Sequence, residues 1–268
     1  MKVYGDVVRK ECPVCLSTDI ENVWKIPMTT INKDEKLVIS GARFHRVPFL
    51  NSETIYCFDM CNACFSIFLN PYLSGYWDDR EVNYHVEKAK ERREWAGYQA
   101  RVKAIIPHIQ SFGTVVDLAC GGGQMLTILR EDYRRKQWKR MVGIEINKTS
   151  VSYIKSIGFE GYVADVCKET PIKAGEADCV IFSEAMEHVQ YPYLVIQEIS
   201  RVLKVGGICY LTSQALEANL PVRPEEPIYM RREGVDVLLG TFDLRILEAK
   251  LDAGRWKVIA QKDKSCKG

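Results

Sequence analysis

The spacing of apolar and polar positions changes several times along the chain, and each change marks an element. The run "VVDLACGGGQMLTIL", residues 115–129, is apolar up to Asp117 and then passes through three consecutive glycines. It resumes at helical spacing with Met125, Leu126 and Leu129, which predicts a strand, a tight turn and a helix. From Phe112 onward strand-like runs recur at 114–118, 141–146, 161–166, 178–183, 207–212 and 256–261. Helical patterns fall between them: one starts after Asn147 as N-cap and stops at Gly158, another covers 193–204 and stops at Gly206, and a third covers 242–251. Alternation of this kind predicts an α/β fold with a doubly wound, mostly parallel sheet covered on both faces. Upstream, 88–110 reads as a helix with Trp95, Tyr98, Val102, Ile105 and Ile106 on one side. The first seventy or so residues differ, with short β-like runs at 36–39 and 54–58 and too little apolar material for a core of their own. Three parts are therefore expected: a small module over 1–70, an aromatic segment and helical connector over 71–111, and the α/β domain over 112–268.

Composition adds limits. The 37 basic and 35 acidic residues nearly cancel, leaving a formal charge of +2, which argues against a polyanionic partner. The opening "MKVYGDVVRKE" lacks the apolar core of a signal peptide, and no apolar stretch approaches the roughly 20 residues that span a bilayer, so no membrane association and a cytoplasmic location are expected. Ten cysteines in a reducing compartment point to metal or buried thiols rather than disulfides.

The glycine turn suits a ligand that approaches main-chain N–H groups and a helix N-terminus. A dinucleotide would need G-x-G-x-x-G, but starting from Gly121 and Gly123 the last position is Leu126, and the frame from Ala119 puts Gln124 there. What remains is a series of acids at strand ends: Asp117, Glu145 in "VGIEIN" and Asp165 in "YVADV". An acid beside the turn repels a phosphate and accepts an ammonium.

This ordered set resembles the class I S-adenosylmethionine-dependent methyltransferases over about 112–261. The resemblance implies that Asp117, Ala119, Gly121 and Gly123 hold the amino-acid end of the cofactor, with Ser183 also on the cofactor side. It further implies Glu145 on the ribose hydroxyls and Asp165 with Val166 at the adenine. Six strands are legible where that family has seven.

A sulfonium methyl is already activated, so a methyltransferase needs alignment and, for a hydroxyl acceptor, a base. The stretch "SEAMEHVQYP", 183–192, is similar to the segment that faces the transferring methyl in small-molecule O- and C-methyltransferases. Glu187 and His188 are the expected catalytic pair, with His188 as base because an ordinary imidazole titrates near neutrality, and Glu184 is a weaker candidate.

Cys12, Cys15, Cys61 and Cys64 form two C-x-x-C pairs with the spacing of a four-thiolate, structural zinc site, and His45 is a reserve ligand. A cysteine module, an aromatic segment and a methyltransferase domain together resemble sugar C-methyltransferases acting on nucleotide-linked deoxysugars. That resemblance places Tyr76, as a third catalytic candidate, and Trp77 at the acceptor site. Those enzymes continue into a further C-terminal domain absent from this sequence, which shifts the expectation toward O-methylation of a sugar nucleotide or glycan precursor in carbohydrate biosynthesis. Two alternatives stand beside it: an RNA methyltransferase gripping phosphates through the basic stretch 130–140 with Trp138 stacking on a base, and a protein that binds the cofactor without turnover.

Overall fold

The computed structural model describes residues 2–3, 7–27, 37–39, 42–44, 54–72, 84–92, 94–133, 138–216 and 228–263. Tyr76, Trp77 and His45 lie outside the described residues. The chain begins with β1 (Lys2–Val3), β2 (Ile20–Pro27), the short hairpin of β3 (Leu37–Ile39) and β4 (Ala42–Phe44), then β5 (Thr54–Cys61) and β6 (Ile67–Leu69). β5 is the hub of this first sheet, pairing antiparallel with β2 and β6 and parallel with β1. The strand β2 was not legible in the sequence, because a bulge between Asn22 and Trp24 interrupts its alternation.

The predicted 88–110 helix is two helices, α1 (Tyr84–Lys90) and α2 (Trp95–Ile105). Arg92 and Glu94 between them take positive φ, which ends one helix and starts the next in a new direction. The α/β part continues with β7 (Thr114–Leu118), α3 (Gln124–Asp132), β8 (Arg140–Glu145), α4 (Lys148–Ser156), β9 (Glu160–Val163) and β10 (Ala177–Phe182). It ends with α5 (Pro192–Val202), β11 (Leu203–Gln214), β12 (Ile228–Tyr229), α6 (Arg232–Gly240), β13 (Leu244–Asp252) and β14 (Arg255–Lys262). The Asn147 side chain caps α4 by accepting from the Ser150 N–H, as the sequence suggested.

Seven strands form the main sheet in the order β13-β14-β11-β10-β7-β8-β9. Pairings from β11 across to β9 are parallel, while β14 runs antiparallel to both β11 and β13. The order reverses at β7, so the crevice at the C-terminal ends of β7 and β10 is where such a sheet receives a ligand. The seventh strand, β13, occupies the stretch expected to be the 242–251 helix. A register shift between Ile246 and Glu248 places Leu247 in a bulge, sending Ile246 and Ala249 into one core cluster and Leu247 into the other. That extra residue converts an alternating pattern into apparent helical spacing, and the Glu, Ala and Lys content reinforces the misreading.

One buried side chain sets the spacing around the crevice. Ile154 of α4 has no exposed surface, and its methyl groups fill the room left by Gly123, Gly143 and Gly161. A Cβ on Gly143 would lie 2.5 Å from Ile154 Cδ1, and one on Gly161 2.8 Å from the same atom. Gly143 and Gly161 are register partners on β8 and β9, so together they form one socket.

The two sheets share a core. β12 pairs with β6, joining a late segment of the chain to the first sheet, and Cys12, Val14, Cys61, Cys64 and Phe68 belong to the same apolar cluster as Val180, Ile196 and Leu211. Among the described residues no helix is long and apolar enough to cross a membrane. Ile154→Ala is expected to cost about 2–5 kcal/mol, because three glycine-lined walls cannot collapse into the void. A shift of the denaturant midpoint at constant slope would measure it; a loss below 1 kcal/mol would show the socket to be loosely packed.

Candidate functional site at the switch point of the sheet

β7 delivers Asp117 to the crevice with 3% exposure, and the chain then turns through Ala119, Gly121 and Gly123, all at positive φ. Ala119 sits at φ 53, where a glycine would be unstrained, so its methyl group comes at a backbone cost. Helix α1 lies on the turn, and a methyl group on Gly122 would overlap the His85 carbonyl and the Ala89 side chain. Gly122 is therefore required for the approach of a helix, while the amide of Gly121 is turned toward the end of β8.

That amide donates to Glu145 Oε2 at 2.9 Å, and Glu145 Oε1 accepts from Ile146 N at 2.8 Å and Asn147 N at 3.2 Å. Glu145 is thus a carboxylate preoriented by three main-chain donors at the end of β8. Burial, reinforced by the Glu145 charge, pushes the Asp117 carboxyl well above the usual carboxylate range. A cationic ligand placed against this pair would reverse that shift. Asp165 accepts from Cys167 N at 2.9 Å, with Val166 buried beside it, just beyond β9.

Opposite Asp117, Ser183 and Glu184 come just after the end of β10, and a single 3-10 turn, Met186–His188, follows. Glu184 stands at φ 59 with its amide bonded to Thr212 Oγ1 at 2.7 Å. Its two oxygens pair with Arg101 at 3.1 Å and Arg255 at 3.0 Å. Glu187 is 1% exposed, and its Oε1 lies 3.4 Å from Arg255 Nη2 and 3.5 Å from Gln214 Nε2. Burial raises the Glu187 carboxyl to about 7, against the pull of Arg255 and with the help of Glu184. His188 is half-buried at the end of the turn.

These groups face one cavity of about 450 Å³, lined by Asp117, Ala119 and Gly121 on one side and by Ser183, Glu184, Glu187 and His188 on the other. Of the expected site residues, Gly123, Glu145, Asp165 and Val166 are not among its lining. Gly123 instead precedes α3 as its N-cap, and Glu145 reaches the turn through the Gly121 amide. Sequence reading missed Tyr84, His85, Arg101 and Arg255. They carry no local motif, since the first two come from α1, Arg101 from α2 and Arg255 from the start of β14.

The four cysteines meet in a second place. Their sulfurs all lie within 4.8 Å of one another, with Cys12 and Cys64 at 3.6 Å and Cys15 and Cys61 at 3.5 Å. Zn–S bonds of about 2.3 Å in a tetrahedron place sulfurs about 3.8 Å apart, so the donor set fits that ion. The two knuckles also share one backbone design. Leu16 N bonds Cys12 O and Phe65 N bonds Cys61 O, Cys12 N bonds Ser17 O and Cys61 N bonds Ser66 O, and Leu16 and Phe65 both take positive φ. A shared pattern, C-x-x-C followed by an apolar residue and Ser, was the overlooked sequence signal of this repeat.

Residues 116–211 match the methyltransferase domain family. The chain is 30% identical over 107 residues to a ubiquinone biosynthesis O-methyltransferase of Nitrosococcus oceani, covering 37% of this chain and 42% of the relative. It is 28% identical over 121 residues to the tRNA (carboxymethyluridine(34)-5-O)-methyltransferase of Macaca fascicularis, covering 41% of this chain and 17% of that protein. The matched segment thus spans less than half the length of either relative. In structure, a SAM-dependent methyltransferase from Archaeoglobus fulgidus superposes with a TM-score of 0.52 at 16% identity, over 67% of this chain and 99% of that one. With this strand order and glycine turn the chain has the Rossmann-like fold of a methyltransferase, and its residues 116–211 are the part that matches the methyltransferase domain family.

Proposed function

We propose that the protein transfers a methyl group from S-adenosylmethionine to a hydroxyl of a small, sugar-linked acceptor, and that the four-cysteine site holds a structural zinc. One observation supports this most directly: the Asp117 turn and the Glu187–His188 segment line the same cavity, so cofactor and acceptor can meet in it. Asp117 and the 119–123 turn would hold the amino-acid end, with Ser183 nearby, Glu145 would take the ribose and Asp165 with Val166 the adenine. When bound, the cofactor would supply an activated methyl group: as the acceptor oxygen bonds that carbon, the carbon–sulfur bond breaks and its electron pair leaves with the sulfur of S-adenosylhomocysteine.

The chain's own work is alignment and removal of the hydroxyl proton. His188 takes that proton, while Glu187, held by Arg255 and Gln214, fixes the turn that presents the imidazole. Pairing of two arginines with two glutamates leaves this end of the cavity without net charge, which suits a neutral hydroxyl-bearing acceptor. Nine thiols free of disulfides among the described residues fit the cytoplasmic location proposed here.

A second reading, RNA methylation, draws on the tRNA-acting relative. The described arginines of the basic stretch are already engaged, however. Arg130 donates to Ile157 O at 2.7 Å and stacks 4.2 Å from the Phe159 ring, and Arg140 is paired with Glu160 and Glu176. Trp138 packs edge-on against Phe112 at 5.0 Å rather than facing outward as a stacking platform. Salt-dependent RNA binding at near-physiological ionic strength would favour this second reading.

Calorimetry is expected to show binding of S-adenosylmethionine, with Glu145→Ala weakening it by about 1.5–3 kcal/mol per charged hydrogen bond lost. Unchanged affinity in that variant would remove Glu145 from the site. With an accepted substrate, His188→Gln is expected to keep cofactor affinity and lose on the order of 10²–10⁴ in turnover. Wild-type turnover should fall as pH drops below about 7, where Glu187 takes up a proton and loosens its hold on Arg255. Glu187→Gln should remove that part of the pH profile at a smaller cost in rate. Near-wild-type turnover in His188→Gln would assign the base elsewhere. Protein purified under reducing conditions is expected to carry one zinc per chain, lost in Cys61→Ser, and elemental analysis finding no metal would refute the site.

A further inference from the structure

Arg9 precedes the first cysteine knuckle and is 4% exposed. Its guanidinium is held between two rings, 4.0 Å from the centroid of Tyr72 and 4.9 Å from that of Tyr191, while Nη1 donates to Gln190 O at 2.6 Å. Asn70 grips the Arg9 backbone on both sides, accepting from its N–H at 2.7 Å and donating to its carbonyl at 3.0 Å. A cation removed from water is costly unless something compensates for it. Here, among the described residues, the compensation is aromatic faces and a main-chain carbonyl rather than a carboxylate.

Gln190 and Tyr191 lie two and three residues past the turn that ends in His188. Next to them the knuckle makes a second tie: the Pro13 carbonyl, between Cys12 and Cys15, accepts from Tyr193 N at 3.2 Å at the start of α5. The turn itself contacts β12, which is paired with β6, the strand that follows the second knuckle. The segment bearing Glu187 and His188 is therefore fastened to the cysteine module at the turn, through β12 and β6, and just after it, through Arg9 and Pro13.

We propose that Arg9 is a positioning residue that pins segment 186–193 to the cysteine module, so that the module sets the placement of Glu187 and His188 in the cavity. The meaning given to that segment rests on the methyltransferase reading above; the clamp itself does not. Arginine suits the task because a flat guanidinium can stack between Tyr72 and Tyr191 while one edge still reaches the Gln190 carbonyl. Lysine would keep the charge and lose the stacking.

Amide hydrogen exchange on the full-length, zinc-loaded chain tests the clamp, read by mass spectrometry on peptides covering 184–194. Arg9→Ala is expected to speed exchange there by about tenfold, as local opening becomes easier. Zinc content should stay at one per chain and affinity for S-adenosylhomocysteine within about twofold, since the Arg9 side chain bonds Gln190 O and stacks on Tyr72 and Tyr191 rather than on a cysteine or a cavity residue. Arg9→Lys should fall between the two, and Tyr191→Leu should reproduce the acceleration from the opposite side of the clamp if Arg9→Ala folds poorly. With an accepted substrate, kcat should fall while KM for the cofactor holds. Unchanged exchange across 184–194 in both Arg9→Ala and Tyr191→Leu would overturn the proposal, as would zinc loss in Arg9→Ala, which would make Arg9 a support of the metal site alone. Absence of S-adenosylhomocysteine binding in the wild type would instead strike the functional reading and leave the exchange result to decide the clamp.

Discussion

The seating of Ile154 among Gly123, Gly143 and Gly161 governs how close α4 comes to the strands β8 and β9, and through them the geometry of the crevice. Any side chain at those glycines would hold the helix away from the sheet. Because Asn147, the cap of α4, lies two residues past Glu145, a fixed helix means a fixed strand end, and the Glu145 Oε2 stays 2.9 Å from the Gly121 amide. The same turn admits α1 on its other side, where Gly122 lets the His85 carbonyl approach. Packing of an apolar methyl group and orientation of a buried carboxylate are thus one constraint seen from two ends. Interiors of this density transmit position because they have no slack to absorb it.

Charge is distributed along the cavity in two different ways. At the Asp117 end two acids lie near one another out of water, an arrangement that pushes the Asp117 carboxyl up and favours a cation beside it. At the other end Glu184 and Glu187 share Arg101 and Arg255, so the charges close on themselves. A ligand carrying an ammonium at one end and meeting a neutral partner at the other satisfies both.

The N-terminal module illustrates how a small segment gains rigidity without a large apolar interior. Its two knuckles converge on four sulfurs, and its remaining apolar residues, Val14 and Phe68 among them, complete a core whose larger share belongs to the α/β domain. A helix of that domain packs on it as well: a Cβ on Gly234 of α6 would lie 2.6 Å from Ser66 Oγ, so the helix rests against the second knuckle. The module is built into the domain rather than strung beside it, which is why it can bear on the segment after β10.

Local chemistry that is contiguous in the chain was legible without coordinates: the strand, turn and helix around Asp117, the Asn147 cap, the acids at strand ends and the two cysteine pairs. Each is written in neighbouring residues, where period and turn chemistry act. The β13 strand was misread as helix because its bulge at Leu247 breaks the period of two, and a bulge is stabilised by the partner strand, not by its own residues. Arg101, Arg255, His85 and Arg9 were invisible for a related reason. Each meets its partners only after α1, α2, β14 and the first knuckle have been brought to the crevice by packing. The sequence by itself determined which short segments can bind and bend. Tertiary structure decided which of them face one another, because those encounters join positions as far apart as Arg9 and Gln190, where no local period operates.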